Sequence, residues 1–397
     1  MNTAIREGID WVGYVDWGIR DFHGYRTERG SSYNSYLVRD DKSALVDTVK
    51  AAYVGQLLDN VSRLMPLEKI NYIVCNHAEP DHSGGLPAVV AACPGADVVC
   101  DAKCREALSR HYDTSGWKFL VVKDGDRLQL GKRSLVFVET PMVHWPESMF
   151  TYVPEEGLLF SMDAFGQHYA SSGRFDDEEP LDVVLAEAKT YYANIVMCYG
   201  KQIAGVLDRA GSMGIKTIAP SHGVIWRSHI GEILGAYSDW VQCKPKPKVL
   251  VIYDTMWKST EKMAEAIIKG AQERSVDARL IYVRATEPTV IVTEVLDAAT
   301  VALGSPTLNM TLMPEMAGVL TYLKGLKPQG KAGFAFGSYG WAKGGAKDVE
   351  EYMRAMKFEL LREPLQVQYV PTKETLDECR AAGRLLADKA VSMTTKE

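Results

Sequence analysis

Several absences narrow this 397-residue sequence before any motif is read. Its seven cysteines, at 75, 93, 100, 104, 198, 243 and 379, include no Cys-x-x-Cys pair. An odd, scattered set excludes a cysteine-knuckle metal site and favours reduced thiols in a cytoplasm over a disulfide framework. No apolar run approaches the roughly 20 residues that span a bilayer, so no membrane segment is expected. The first residues, Met1-Asn2-Thr3-Ala4-Ile5-Arg6-Glu7-Gly8, lack the basic and apolar regions of a signal peptide. Basic excess is missing too. A net charge of −6 and a pI near 5.8 argue against nucleic acid as a partner.

What is present centres on Asn76-His77-Ala78-Glu79-Pro80-Asp81-His82-Ser83-Gly84-Gly85. It follows the apolar run Ile70–Cys75, which is short, β-branched and bounded by turn residues, hence a buried strand. The ligand-type side chains therefore leave the C-terminal end of a strand. His77, Glu79 and Asp81 alternate, which in an extended loop points them to one side, while His82 is offset toward a second centre. A helix N-cap at Asp81 or Ser83 accounts for one of these residues and leaves the others unexplained. His144, Asp163 and His222 each come as the first strong ligand after a further apolar run, on the same edge as the opening loop. His23 and His168 lie in loops that can approach these groups from behind. His111 and His229 read as surface and structural.

The chain divides by pattern. Up to about Gln242, short β-rich runs alternate with occasional helices. Expected strands include Tyr33–Val38, Ser43–Asp47, Ile70–Cys75, Asp97–Cys100, Phe119–Val122, Leu135–Glu139, Thr151–Val153, Leu158–Ser161 and Lys216–Ala219, with a helix over Tyr53–Leu64. Strands near both ends with helices between imply an αββα sandwich. Lys244-Pro245-Lys246-Pro247-Lys248 reads as a linker, since alternating prolines favour extended backbone outside a sheet interior. Domains are expected at 1–243 and 249–397, joined by 244–248. In the second, strands at Lys248–Tyr253, Ala278–Val283, Thr300–Gly304, Ala332–Phe336 and Leu365–Val370 alternate with helices. That alternation gives a doubly wound parallel sheet. A final helix is expected over Lys373–Lys389, with a loose tail at Thr394–Glu397.

Three loops of the second half converge on one end of such a sheet. The first holds Thr255, Met256, Trp257, Ser259 and Thr260, whose hydroxyls and free helix-start amides make a phosphate cradle. No Gly-x-Gly-x-x-Gly and no Gly-Lys-Ser/Thr occurs there, which disfavours a dinucleotide or nucleoside triphosphate. The others hold Ser305, Pro306, Thr307, Leu308 and Asn309, and Ser338, Tyr339, Gly340 and Trp341, with Trp257 or Trp341 able to stack on a ring system. These loops resemble those of flavodoxin, which implies strand order 2-1-3-4-5 and bound FMN at the switch point.

The first half resembles the metallo-β-lactamase superfamily, whose usual loop is His-x-His-x-Asp-His; here Glu79 replaces the second histidine. Zinc hydrolases favour imidazole at that place, whereas a hard carboxylate suits iron. This variant, and essentially the whole chain, resembles the flavodiiron proteins, also called A-type flavoproteins or rubredoxin:oxygen oxidoreductases. By that resemblance His77, Glu79 and His144 bind one iron, Asp81 and His222 the other, and Asp163 bridges. His82 is counted as a ligand, although family members differ on whether it coordinates. The resemblance further implies two Fe ions, FMN, reduction of O2 to water or NO to N2O, and a head-to-tail homodimer or dimer of dimers. The donor it implies is rubredoxin or a similar small carrier, which Lys258, Lys262, Lys343 and Lys347 around the flavin loops would meet. Two rivals stand: a zinc metallohydrolase fused to a flavodoxin-like module, and an electron carrier with an inert lactamase half.

Overall fold

The computed structural model describes residues 3–395. The chain packs as two compact units. The first comprises the chain through Tyr192 together with Tyr199–Ser238; the second takes Ala193–Cys198 and the chain from Asp239 onward.

The strands of the first unit are β1 (Thr3–Arg6), β2 (Ile9–Trp11), β3 (Tyr14–Asp16), β4 (Asp21–Phe22), β5 (Tyr25–Arg26), β6 (Ser31–Tyr33), β7 (Tyr36–Val38), β8 (Ser43–Val46), β9 (Ile70–Val74), β10 (Asp97–Cys100), β11 (Phe119–Val121), β12 (Arg127–Gln129), β13 (Ser134–Glu139), β14 (Met149–Val153), β15 (Leu158–Met162) and β16 (Thr217–Pro220). One sheet runs β1-β2-β7-β8-β9-β10-β11 and a second β12-β13-β14-β15-β16. The first is antiparallel as far as β8 and parallel from β8 to β11. The second is antiparallel until the parallel β15–β16 pair.

Side chains alternate across each strand, and the alternation builds the layers. Tyr36, Val46, Val74 and Val99 meet Phe137, Met149, Leu158 and Phe160 in a buried cluster between the sheets. Their strand neighbours Leu37, Leu45, Ile73 and Val98 turn outward against Leu57 and Val61 of helix Val54–Ser62 and Leu86 and Val89 of helix Leu86–Ala92. Each such side chain contributes about 1.5–3 kcal/mol on burial. Every residue of β14 and β15 is buried, and helices Leu181–Tyr191 and Gly200–Ser212 bury Val184, Ala188, Ile203 and Val206. The result is the αββα sandwich.

Two local expectations change. The run Tyr33–Val38 breaks at Asn34-Ser35 because β6 pairs with β3 while β7 pairs with β2 and β8. Asn34 Nδ2 instead donates to Pro220 O at 2.8 Å and Gly223 O at 3.0 Å. The short strands before Ser31 and β12 were not expected; they are two to four residues long and carry too little pattern to read.

In the second unit lie β17 (Lys246–Tyr253), β18 (Asp277–Tyr282), β19 (Ala298–Gly304), β20 (Ala332–Tyr339), β21 (Glu359–Leu360) and β22 (Leu365–Gln368). The order is β18-β17-β19-β20, with β21 and β22 both on β20 and every pair parallel. This is order 2-1-3-4-5 with the fifth strand in two pieces. Met263 and Ile267 of helix Ser259–Ala271 and Leu386 of helix Lys373–Thr394 pack with Val249, Val251, Phe334 and Phe336 on one face. Leu250 and Ile252 alternate to the other face, where helices Pro288–Asp297 and Gly345–Ala355 meet the strands. The expected linker enters the sheet: β17 begins at Lys246, and its register against β19 shifts between Lys246 and Val249, around a proline with no N–H to give. The last helix continues past Lys389 to Thr394; Lys396 and Glu397 of the expected tail lie outside the described residues.

Candidate metal centre and flavin pocket

The opening loop is held before it reaches its ligands. Asp47, at the end of β8, accepts from Asn76 N and from Asn76 Nδ2, both at 2.8 Å. Asn76 Oδ1 in turn accepts from Thr151 Oγ1 of β14 at 2.7 Å, so both sheets grip the loop. The loop is not extended throughout, as was expected. Glu79 caps a single helical turn, Pro80–Ser83, with proline in its first turn. The turn swings Asp81 away from His77 and Glu79, so the three do not share one side.

Two groups of ligand atoms result. His77 Nε2 and His144 Nε2 each lie 3.1 Å from Glu79 Oε2, and 3.5 and 3.3 Å from Asp163 Oδ2. His82 Nε2 and His222 Nε2 lie 3.2 and 3.1 Å from Asp81 Oδ2, and 3.1 and 3.4 Å from Asp163 Oδ1. Asp163 thus gives one oxygen to each group. Ligands about 2.1 Å from a shared ion are separated by about 3.0–3.4 Å in octahedral or tetrahedral arrangement, which these distances match. All seven residues expected to be ligands are brought together, and Glu79 and Asp81 fall in different groups.

The donor set fits a pair of cations. Both oxygens of Asp81 and of Asp163, both ring nitrogens of His82 and His222 Nε2 are buried without a hydrogen-bond partner among the described residues. Lone pairs that converge without hydrogen-bond geometry, at about 1–3 kcal/mol per unmet buried group, call for positive charge between them. Burial alone would raise the Glu79 carboxyl, but His144 and His77 bring it down to about 2. Burial likewise opposes ionisation of Asp81 and Asp163, and the surrounding histidines hold both well below the usual range. Burial works to lower His144 and His222, yet the nearby Asp163 carboxylate and its neighbours carry each up to about 9.

Residues not foreseen as ligands support or adjoin these. Glu147 Oε1 lies 2.8 Å from His77 Nδ1 and accepts from Ala78 N at 3.1 Å. Nothing in its local sequence sets it apart, apart from lying three residues beyond His144. His222 Nδ1 donates to Ser32 O at 2.6 Å. His23 projects from the β4–β5 turn at φ 54°, with Nε2 3.4 Å from Asp81 Oδ2. Behind it His168 Nε2 lies 3.3 Å from His23 Nδ1, and His168 Nδ1 2.8 Å from Ser31 Oγ. Burial, then the neighbouring His222 and His23, push His168 well below its usual value, so it is neutral. His111 is exposed, as expected.

At the C-terminal edge of the second unit's sheet, a cavity of about 560 Å³ opens between the three expected loops. Met256, Trp257 and Ser259 line it from the first loop; Pro306, Thr307, Leu308 and Asn309 from the second; Ser338, Tyr339, Gly340 and Trp341 from the third. Thr255, Thr260 and Ser305 stand behind this wall. Thr260 Oγ1 meets Ser338 Oγ at 3.0 Å, and Ser305 Oγ accepts from Met313 N at 2.9 Å. Thr255 Oγ1 is buried with no hydrogen-bond partner among the described residues, beside the start of helix Ser259–Ala271, as a phosphate cradle requires. Trp257 and Trp341 are 83% and 88% exposed, ring faces without core around them. Met310, Ala342, Tyr369 and Val370 also line the cavity and were not foreseen. Tyr369 and Val370 follow β22, inside a run expected to be strand throughout. Gly344 keeps the second and third loops together: a Cβ there would sit 2.0 Å from Met310 O.

A lactamase-like sandwich with a two-cation ligand set, followed by a flavodoxin-like sheet with a ring-and-phosphate pocket, defines a metal-dependent flavoprotein oxidoreductase. Comparison with known proteins agrees. Residues 32–223 match the family model described as ODP family beta lactamase, and residues 251–383 the Flavodoxin model. A nitric oxide reductase of Moorella thermoacetica is 46% identical over 390 residues, covering 97% of this chain and 98% of that protein. The structure of rubredoxin oxygen:oxidoreductase from Desulfovibrio gigas superposes with TM-score 0.97 at 38% identity, over 100% of both chains. That of the flavodiiron protein from Giardia intestinalis gives TM-score 0.97 at 36% identity, over 100% of this chain and 98% of its own. The chain belongs to the flavodiiron protein family.

Proposed function

We propose that the chain passes electrons from a rubredoxin-type carrier to FMN and on to a diiron site that reduces O2 to water, NO to N2O, or both. The observation that carries this is the division of Asp163 between two ligand groups, Oδ2 toward His77, Glu79 and His144 and Oδ1 toward Asp81, His82 and His222. When bound, FMN supplies one- or two-electron transfer, and two ferrous ions with one reduced FMN hold the four electrons that O2 requires, or the two that a pair of NO molecules requires.

The chain's own residues do the holding and aiming. His77, Glu79 and His144 would hold one ion and Asp81, His82 and His222 the other, with Asp163 offering one oxygen to each group. Glu79 makes the first half-site hard enough to favour iron over zinc. Thr255 and the start of helix Ser259–Ala271 would hold the FMN phosphate, and Trp257 and Trp341 would offer ring faces to the flavin. Lys258, Lys262, Lys343 and Lys347, all exposed, offer an acidic carrier a positive rim. A head-to-tail homodimer brings the flavin of one chain to the irons of its partner; a monomeric, iron- and FMN-replete form that is fully active would refute that arrangement. Seven free cysteines support a reducing, cytoplasmic setting. Among the described residues, no helix is long and apolar enough to cross a membrane.

The test is anaerobic. After iron, zinc and flavin are quantified, purified protein is given reduced rubredoxin and either O2 or NO. Two irons and one FMN per chain with consumption of either gas is the expected result. Zinc in place of iron, with no gas consumed, would overturn it in favour of a metallohydrolase.

A further inference from the structure

The two ligand groups look alike in their metal-facing atoms and differ behind them. On one side, Glu147 is 3% exposed, and its Oε1 lies 2.8 Å from His77 Nδ1. The same oxygen accepts the Ala78 backbone N–H at 3.1 Å. On the other side, His222 Nδ1 donates to a neutral carbonyl, Ser32 O, and His82 Nδ1 is buried with no hydrogen-bond partner among the described residues. A histidine whose Nδ1–H points at a carboxylate is a more basic ligand through Nε2 than one that points at a carbonyl. Chain order explains the pairing: the loop between β13 and β14 delivers His144 to the first group and Glu147, three residues on, to the back of His77 in that same group.

We infer that Glu147 is a positioning residue that keeps the His77 proton on Nδ1, aims Nε2 into the first group and makes that half-site electronically distinct from the second. The inference rests on the diiron reading above. Its function is asymmetry: one ion sits against a carboxylate-backed imidazole, the other against imidazoles with neutral or no backing.

The experiment compares wild type with E147Q and E147A, each reconstituted with ferrous iron. The readouts are iron retained under chelator challenge, the Mössbauer spectrum of the diferrous protein and the melting of the iron-free protein. E147Q keeps the side chain's shape but loses its charge. It should shift one ferrous signal, leave the other unmoved, and weaken retention of one ion about 10–100-fold. E147A should do the same more strongly. In the wild type, an exchange-protected imidazole N–H assigned to His77 in paramagnetic NMR would support the tautomer without any variant. Two irons held as tightly as in wild type, with both signals unmoved and only the iron-free melting lowered, would reduce Glu147 to a structural contact and overturn the inference. A wild-type chain that binds no iron pair would instead bring down the diiron reading, and this inference with it.

Discussion

Glu79 is the residue at which this sandwich parts from its hydrolytic relatives. Its Oε2 lies 3.1 Å from both His77 and His144, so it is central to the first ligand group. Replacing it by histidine restores the His-x-His pattern, and Glu79→His should raise the zinc-to-iron ratio of protein grown with both metals severalfold; elemental analysis reads this directly. The histidines set a pH dependence. Although burial opposes it, the Asp163 carboxylate leads in raising His144 and His222 to about 9, so in the metal-free chain both rings carry a second proton at pH 7. Iron must displace those protons. Iron affinity should therefore climb as pH rises from 7 to about 9, and a chelator-competition titration that stays flat over this interval would contradict the assignment. The convergence of the seven residues was legible because each follows an apolar strand, where side-chain type stands out. Glu147 was not, since a glutamate's burial and its hydrogen bond to His77 are made by residues seventy positions apart.

At the scale of elements, strands of the second unit read well because long apolar runs alternate with helices. The turn Pro80–Ser83 is helical where the alternation of ligand-type residues predicts an extended loop. Alternation suggested a strand-like loop, whereas Pro80, preset for the first turn of a helix, decided the local geometry. Tyr369 and Val370 line the cavity for a related reason: Tyr369 N still donates to Tyr339 O at 2.8 Å, but its φ of 56° turns the chain out of the strand there. Gly344 shows how one position ties elements together. In Gly344→Ala the Cβ meets Met310 O, and relieving the overlap costs about 1–3 kcal/mol, enough to loosen FMN roughly tenfold or more. Flavin content after gel filtration should fall while iron content stays level, because the ligand groups lie in the other unit.

For the whole molecule, a charge of −6 conceals a local excess of lysine around the flavin loops. Docking of an acidic carrier on Lys258, Lys262, Lys343 and Lys347 should weaken with ionic strength, so oxidation of reduced rubredoxin should slow severalfold between low and high salt. A rate indifferent to salt would discard this surface. The sequence pattern changes near residue 243, whereas the units divide at Ser238/Asp239 and the second also takes Ala193–Cys198, which is a matter of packing rather than composition.

Asp163 has one more consequence. Because its two oxygens face opposite groups, an ion bound on either side would hold the carboxylate still and leave the far oxygen already oriented. The first arrival bears the entropic burden for the second, so a population short of iron should sort into empty and fully loaded chains, with few caught halfway.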